Sequence, residues 1–264
     1  MKNQPSWQLP RGVSGGTWDY SETSHIATSY DSYFSQHGMF RLDESVVAKF
    51  TQAGNSVIDL GCGTGRAIEP LLERGIDCVA CDLSQSMLQE VQKKASTLGK
   101  SALCVRANLV EMNCFADDSF DCAICLFSTL GMIRGDDARS DVVQHVARML
   151  KPGGLFILQV HNYWVHVFDP EGPWWMLRNA FRTCFRKDVQ LGDRFYLYRG
   201  IPDMYLHSFS WKSLQALLGA SGFEIVETMP LNAKQDAPLR LAGFLPRLRA
   251  SGWIVVARAT SSAT

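Results

Sequence analysis

Apolar residues in this chain fall into short β-branched runs alternating with stretches of helical spacing. Val57 and Ile58 run directly into Gly61-Cys62-Gly63-Thr64-Gly65, and residues 67–74 then carry Leu71 and Leu72. That pattern predicts strand, tight turn and helix. A second strand is expected over 77–81, followed by a helix over 85–98 with Ser84 as its N-cap. A third strand covers 102–106. A polar turn over 117–121 precedes an apolar fourth strand over 122–127. An amphipathic helix over 136–150 is stopped by Lys151-Pro152-Gly153-Gly154, and a fifth strand follows over 155–160. Strands alternating with helices predict an α/β, doubly wound and mostly parallel sheet, with a ligand crevice outside the carboxyl ends of the strands.

The flanks have other patterns. Residues 1–20 are rich in Gly, Ser and Pro, with Trp7 and Trp18 as isolated anchors, and read as loose or draped over the surface. From 22 to 50 the spacing turns helical through Ile26, Tyr30, Tyr33, Phe34, Phe40, Leu42, Val46, Val47 and Phe50. Between His161 and Ser210 lies an insertion crowded with Trp164, Trp174, Trp175, Phe181, Phe185, Phe195, Tyr196, Tyr198 and Tyr205. Arg178, Arg182, Arg186 and Lys187 are interleaved with them. Residues 195–198 and 204–209 are expected to pair as a hairpin around Gly200-Ile201-Pro202-Asp203. Placed over the crevice, the insertion is either a substrate wall or a lid that only completes the core. The resulting division is an N-terminal extension and helical lid over 1–50, a ligand-binding half over 51–161, an inserted lid over 162–210, and a C-terminal helix with the last strands over 211–264.

Composition narrows the function classes. A chain of 264 residues with 46% hydrophobic content can bury a full core as one domain. A formal net charge of +0 announces neither nucleic acid nor a membrane surface. The first ten residues lack an apolar stretch of signal-peptide length, and no apolar run is long enough to span a bilayer. The expectation is a soluble, cytoplasmic protein, monomeric or homodimeric. Cys78-Val-Ala-Cys81 and Cys122-Ala-Ile-Cys125 have the spacing of a zinc ribbon, yet both fall inside predicted strands. Residues three apart on a strand point to opposite faces, so buried free thiols are expected and no metal.

The glycine turn carries the chemistry. Its spacing is Gly-x-Gly-x-Gly, and Arg66 stands where a dinucleotide fold would want a third glycine, which disfavours a nicotinamide oxidoreductase. Asp59 at the mouth of the turn favours a cation such as an amino or sulfonium group over a pyrophosphate. Asp82 lies about 20 residues beyond the glycines, at a strand's carboxyl end, where an acid can accept both ribose hydroxyls; the alternative is a solvated turn residue. Asp59-Leu60-Gly61-Cys62-Gly63-Thr64-Gly65, Asp82-Leu83-Ser84 with Met87-Leu88, and Met149-Leu150-Lys151-Pro152-Gly153-Gly154 together resemble the class I S-adenosylmethionine-dependent methyltransferases. The resemblance covers roughly residues 19–160, and residues 221–224 and 253–258 fit that family's last two strands. It implies a seven-stranded sheet whose last strand is antiparallel, and S-adenosylmethionine as cofactor. It further implies cofactor contacts at Tyr30, Asp59, Gly61, Cys62, Gly63, Gly65, Arg66, Asp82, Leu83, Asn108, Leu109, Leu126 and Phe127. Tyr30-Asp31 matches the family's lead-in pair loosely, and packing is an equal reading of Tyr30. Asn108 stands where the family often has Asp, and can still accept the adenine amino group through its carbonyl oxygen.

Methyl transfer needs acceptor and methyl held in line, and a hydroxyl or protonated amine must also lose a proton. His161, ending the fifth strand, and His207, from the insertion, are the candidate bases; either can equally be structural. Tyr163, Asn162 and Ser128 are weaker candidates. After the fourth strand stands Phe127-Ser128-Thr129-Leu130. That differs from the Asp/Asn-Pro-Pro-aromatic of amino-methylating DNA enzymes, from the Pro-Cys of cytosine-5 enzymes and from the paired glutamates of arginine methyltransferases. The aspartates of metal-dependent catechol methylation are also missing. Three readings follow: a small-molecule methyltransferase with an aromatic pocket, an RNA methyltransferase using the insertion's arginines with Arg240, Arg247 and Arg249, and a non-catalytic cofactor-binding module.

Overall fold

The computed structural model describes residues 6–34, 38–186 and 188–260. Three helices, α1 (Gly15–Glu22), α2 (Ser24–Phe34) and α3 (Met39–Phe50), precede the sheet. The alternating region follows as β1 (Ser56–Leu60), α4 (Ile68–Glu73), β2 (Asp77–Asp82), α5 (Gln85–Thr97), β3 (Leu103–Arg106), β4 (Phe120–Cys125), α6 (Asp136–Met149) and β5 (Leu150–His161). The insertion holds α7 (Gly172–Phe185) and the hairpin strands β6 (Asp193–Tyr198) and β7 (Ile201–His207). The chain closes with α8 (Trp211–Ala220), β8 (Phe223–Pro230), α9 (Pro246–Arg249) and β9 (Gly252–Ala259). Seven strands form one sheet in the order β3-β2-β1-β4-β5-β9-β8, and β9 runs antiparallel to both neighbours, as expected.

Two apolar layers sandwich the sheet. Cys81 and Cys125 lie in the layer with Leu60, Val142 and Trp253; Cys78 and Cys122 lie in the opposite one with Leu71, Val91 and Ile124. Strand alternation therefore splits each C-x-x-C pair between faces, and all four thiols are buried and free. Among the described residues no helix is long and apolar enough to cross a membrane.

Three expectations are corrected. Residues 15–22 form a helix rather than a loose drape (residues 1–5 lie outside the described residues). Ser14 accepts from the Thr17 N–H as its N-cap, and α1 packs so closely on the hairpin that a Cβ on Gly16 would meet Asp203 O at 2.4 Å. Lys151-Pro152-Gly153-Gly154 does end the helix, but it sits inside β5, which already pairs at Leu150 with Phe120 across a bulge. The hairpin turns at Arg199-Gly200, with Ile201 already paired to Tyr198, because Arg199 at φ 49° and Gly200 at φ 83° make the left-handed turn that joins the strands.

A buried polar network fastens the insertion to the sheet domain. Arg139 of α6 is 1% exposed, and its guanidinium donates to Ile133 O at 2.9 Å and Tyr205 Oη at 3.1 Å, and also to Gln190 and Asp136. Tyr205 donates in turn to Asp193 Oδ1 at 2.6 Å. Asn179 of α7 donates to Asp193 O and accepts from Gly192 N. Removing a buried charged donor strands its partners, a cost of about 3 to 5 kcal/mol. Arg139→Ala is therefore expected to lower unfolding free energy by about 3 kcal/mol in chemical denaturation and to open the hairpin to protease before the sheet domain. Unchanged stability would place the fastening elsewhere.

Candidate functional site

The carboxyl ends of β1 to β5 open into a cavity of about 260 Å³, roofed by α1, α2 and the β6–β7 hairpin. The glycine turn forms its floor. Gly61 N and Cys62 N both donate to Cys81 O, at 2.8 and 3.1 Å, and Gly63 N donates to Asp82 Oδ2 at 2.9 Å. Successive N–H groups thus clip the turn onto the end of β2. Gly61 has φ 72°, and a Cβ there would strike Thr129 at 2.3 Å. Gly63 has φ 55° and open space where its Cβ would stand. That open space is the cradle a ligand backbone-contact site requires.

Asp82 lines the cavity with its second oxygen held by Ser84 N at 2.8 Å. Burial pushes its carboxyl up, against these backbone hydrogen bonds. A carboxylate is an acceptor only, so this group, aimed into the cavity, suits a ligand's hydroxyls. Asn108 also lines the cavity, but its Nδ2 donates to Arg11 O at 2.9 Å and its Oδ1 accepts from Val110 N at 3.3 Å. Tyr30, Leu83, Leu109, Phe127 and His161 complete the predicted residues that the fold brings together there.

Other predicted residues stand behind the cavity wall. Asp59 is buried beneath the turn, and its carboxyl is pushed up to about 7 by burial, against the pull of Arg66. Cys62 is buried, with its thiol donating to Gly63 O and pushed up by burial. A Cβ on Gly65 would meet Val91 of α5 at 2.9 Å, so that glycine serves helix packing. Arg66 turns toward α3, pairing with Asp43 at 2.9 Å and lying 4.2 Å over the Phe40 ring. Leu126 belongs to the apolar layer under the sheet.

The two histidines part company. His161 lines the cavity, and burial lowers its imidazole to about 4, so the ring is neutral at neutral pH. His207 does not reach the cavity. Alternation along β7 sends Leu206 inward and His207 outward, where its Nδ1 lies 2.9 Å from Asp193 Oδ1 and its ring packs on Phe209. Burial lowers the His207 imidazole despite Asp193 beside it. Burial would raise Asp193, but the hydrogen bonds from His207 and Tyr205 prevail and hold it below the usual carboxylate range. Of the two candidate bases, the structure thus brings only His161 into the cavity lining. Asn162 is structural, its amide donating to Arg247 O and Ala250 O, while Tyr163 packs against Trp164 and Trp175. Ser128 Oγ accepts from His161 N at 3.3 Å.

Of the insertion's aromatics, Tyr196 and Tyr198 face the cavity beside Met204 and Leu206, whereas Trp174, Phe181 and Phe185 are exposed on α7. Arg178 and Arg182 share that outer helix, Arg186 caps its end, and Lys187 lies outside the described residues. Sequence reasoning missed the N-terminal wall: Gly12, Val13, Thr17, Tyr20 and Ser21 all line the cavity. Ser14 ahead of a helical stretch was the available signal. It also missed Gln159 and Gln235, which stand against His161.

Residues 57–154 match the methyltransferase-domain family. YqeM of Bacillus subtilis (strain 168) is 28% identical over 137 residues, 52% of this chain and 54% of its own, so the match spans about half of that relative. An S-adenosylmethionine-dependent methyltransferase structure from Methanosarcina mazei superposes with a TM-score of 0.66 at 21% identity, covering 81% of this chain and 97% of that one. The 1,6-didemethyltoxoflavin-N1-methyltransferase of Burkholderia thailandensis, solved with 1,6-didemethyltoxoflavin and S-adenosylhomocysteine, superposes with a TM-score of 0.59 at 20% identity, over 90% and 86% of the two chains. Residues 57–154 thus carry a methyltransferase domain, and the seven-stranded sheet around the glycine turn has the class I, Rossmann-like fold of the solved S-adenosylmethionine-dependent methyltransferases.

Proposed function

We propose that the protein transfers a methyl group from S-adenosylmethionine to a small, largely apolar acceptor held beneath the hairpin. One observation carries this reading. The strand ends with Gly61, Gly63 and Asp82 share a single cavity with Met132, Tyr196, Tyr198, Met204 and Leu206, and the chain's own helices and hairpin roof it over. A cofactor end and an acceptor end in one roofed space suit a molecule that enters whole. The Burkholderia relative, solved with a small heterocycle, fits the same view.

Within that reading Asp82 holds the ribose hydroxyls and Gly63 leaves room for the ligand. Asn108 and Leu109 flank the adenine, while Tyr30, Leu83 and Phe127 pack around the cofactor. S-adenosylmethionine, when bound, would supply an electrophilic methyl whose transfer to the acceptor breaks the S–CH₃ bond and frees a neutral thioether, so holding the acceptor in line does most of the work. Tyr196, Tyr198, Met204 and Leu206 orient the acceptor and exclude water. Residues 1–50 act as lid, 51–161 and 211–264 as the cofactor-binding body, and 162–210 as the acceptor wall. Eight free thiols suit the reducing cytoplasm.

A second reading has its own observation: Trp174, Leu177, Phe181 and Phe185 lie exposed on α7 among Arg178 and Arg182, a stacking and charged face of the kind that binds RNA. These residues stand away from the cavity lining, which favours the first reading.

Asp82→Ala should weaken S-adenosylmethionine binding by about 30-fold in calorimetry, the equivalent of about 2 kcal/mol of charge-assisted hydrogen bonding. Untouched affinity would remove Asp82 from the ribose role. Methyl-labelled cofactor incubated with the protein and cell extract should place label in the small-molecule fraction. Label in RNA would transfer the acceptor role to the α7 face, and none in any fraction, with binding intact, would favour a module that does not catalyse.

A further inference from the structure

Gln159 and His161 lie on one face of β5, two residues apart, and Gln235 reaches them from the loop before β9. Three hydrogen bonds link them to the end of β4. Phe127 N donates to Gln159 Oε1 at 2.9 Å, Gln159 Nε2 donates to Gln235 Oε1 at 3.2 Å, and Gln235 Nε2 stands 2.8 Å from His161 Nδ1. The direction of this chain is fixed at one end. A backbone N–H can only donate, so Gln159 must turn its oxygen toward Phe127 and its NH₂ toward Gln235. Gln235 then accepts with its oxygen, which leaves its NH₂ facing the imidazole. Nδ1 of His161 therefore accepts, and a neutral ring must carry its proton on Nε2. Nε2 is the ring nitrogen without a protein partner among the described residues, and the ring lines the cavity.

We infer that Gln159 and Gln235 are positioning residues that hold His161 as a neutral Nε2–H donor, so that it binds an oxygen of the methyl acceptor rather than taking its proton. The inference rests on the methyltransferase reading for the acceptor, and on hydrogen-bond geometry alone for the tautomer. A donor in this place selects acceptors that present a carbonyl or ionised hydroxyl oxygen to an otherwise apolar wall. Burial of His161 works in the same direction, because it disfavours the imidazolium. The backbone supports the arrangement: Phe127, Ser128 and Gln235 all sit at positive φ, 55°, 59° and 59°, and Ser128 Oγ accepts from His161 N.

Long-range proton–nitrogen correlation NMR on ¹⁵N-labelled protein reads the tautomer directly, with no acceptor needed. Wild type should show His161 protonated at Nε2 and neutral down to about pH 5. Gln235→Glu, whose carboxylate only accepts, should invert the tautomer, and Gln159→Leu should give a mixture. An Nδ1–H ring in the wild type, or no response to Gln235→Glu, overturns the inference. In the labelled-extract assay, His161→Gln keeps an N–H donor but cannot act as a base, and should stay within about tenfold of wild type. His161→Leu should lose about 100-fold, the cost of one lost donor. Equal collapse of both variants overturns the donor role. Calorimetry with S-adenosylmethionine on the same samples separates failure of the proposed function from failure of the tautomer.

Discussion

The guanidinium of Arg139, 1% exposed and bonded to Ile133 O and Tyr205 Oη, is the fastening on which the cavity depends. The sheet alone supplies a crevice open on one side. Closure needs the hairpin, and a two-stranded hairpin is marginal in water by itself. Its stability comes from what it leans on. Tyr205 carries the Arg139 bond on to Asp193, which also holds His207, so both strands are fixed from their buried side. With the hairpin in place, α1 can pack on it where Gly16 lacks a side chain, and Tyr20 comes within 6.0 Å of Tyr198 across the cavity roof. Each element of the roof thus borrows its position from the one before.

The sheet and its turn were legible because their signals are local. Val57-Ile58 before Gly61, and Asp82-Leu83-Ser84 after the second strand, declare themselves through residue type and spacing over fewer than ten positions. So did the split of the paired cysteines between faces, which follows from strand alternation alone. What stayed hidden depends on long-range partners. Arg139 reads as one more polar residue of an amphipathic helix until Tyr205 of the hairpin, 66 positions away in sequence, arrives to bury it. His207 and Leu206 exchange roles with a one-residue change of register, and no local pattern fixes which of them faces inward. Glycine and serine in residues 12–21 read locally as loop, although Gly16 lets α1 press close to the hairpin strand.

Asp59 and Arg66 illustrate a different limit. Both stand in the glycine motif, and both carry charge that invites a direct contact with a ligand. The fold instead turns Arg66 back onto Asp43 and Phe40 and buries Asp59 under the turn. Buried charges need partners, and Arg66 finds its own in Asp43 within the protein. Gly61 and Gly63, not Asp59, line the cavity floor.

The cavity's electrostatics then favour a neutral imidazole. A sulfonium brings one positive charge into a space walled by Met132, Ile133, Met204 and Leu206, where screening by water is weak. A second positive charge on His161 would repel it, and burial already keeps that ring uncharged. A neutral donor avoids the conflict while still orienting an oxygen of the acceptor. The backbone beside this hydrogen-bonded chain is strained. Phe127, Ser128 and Gln235, three non-glycine residues at positive φ, lie along the hydrogen-bonded chain to the His161 imidazole, which lines the cavity. Backbone in that region costs of order 1 kcal/mol or more per residue and persists only where its surroundings enforce it. Here the Phe127 N–H is held by the Gln159 amide oxygen. The strained turn after β4 and the loop before β9 are therefore two ends of one device, built to present a single N–H.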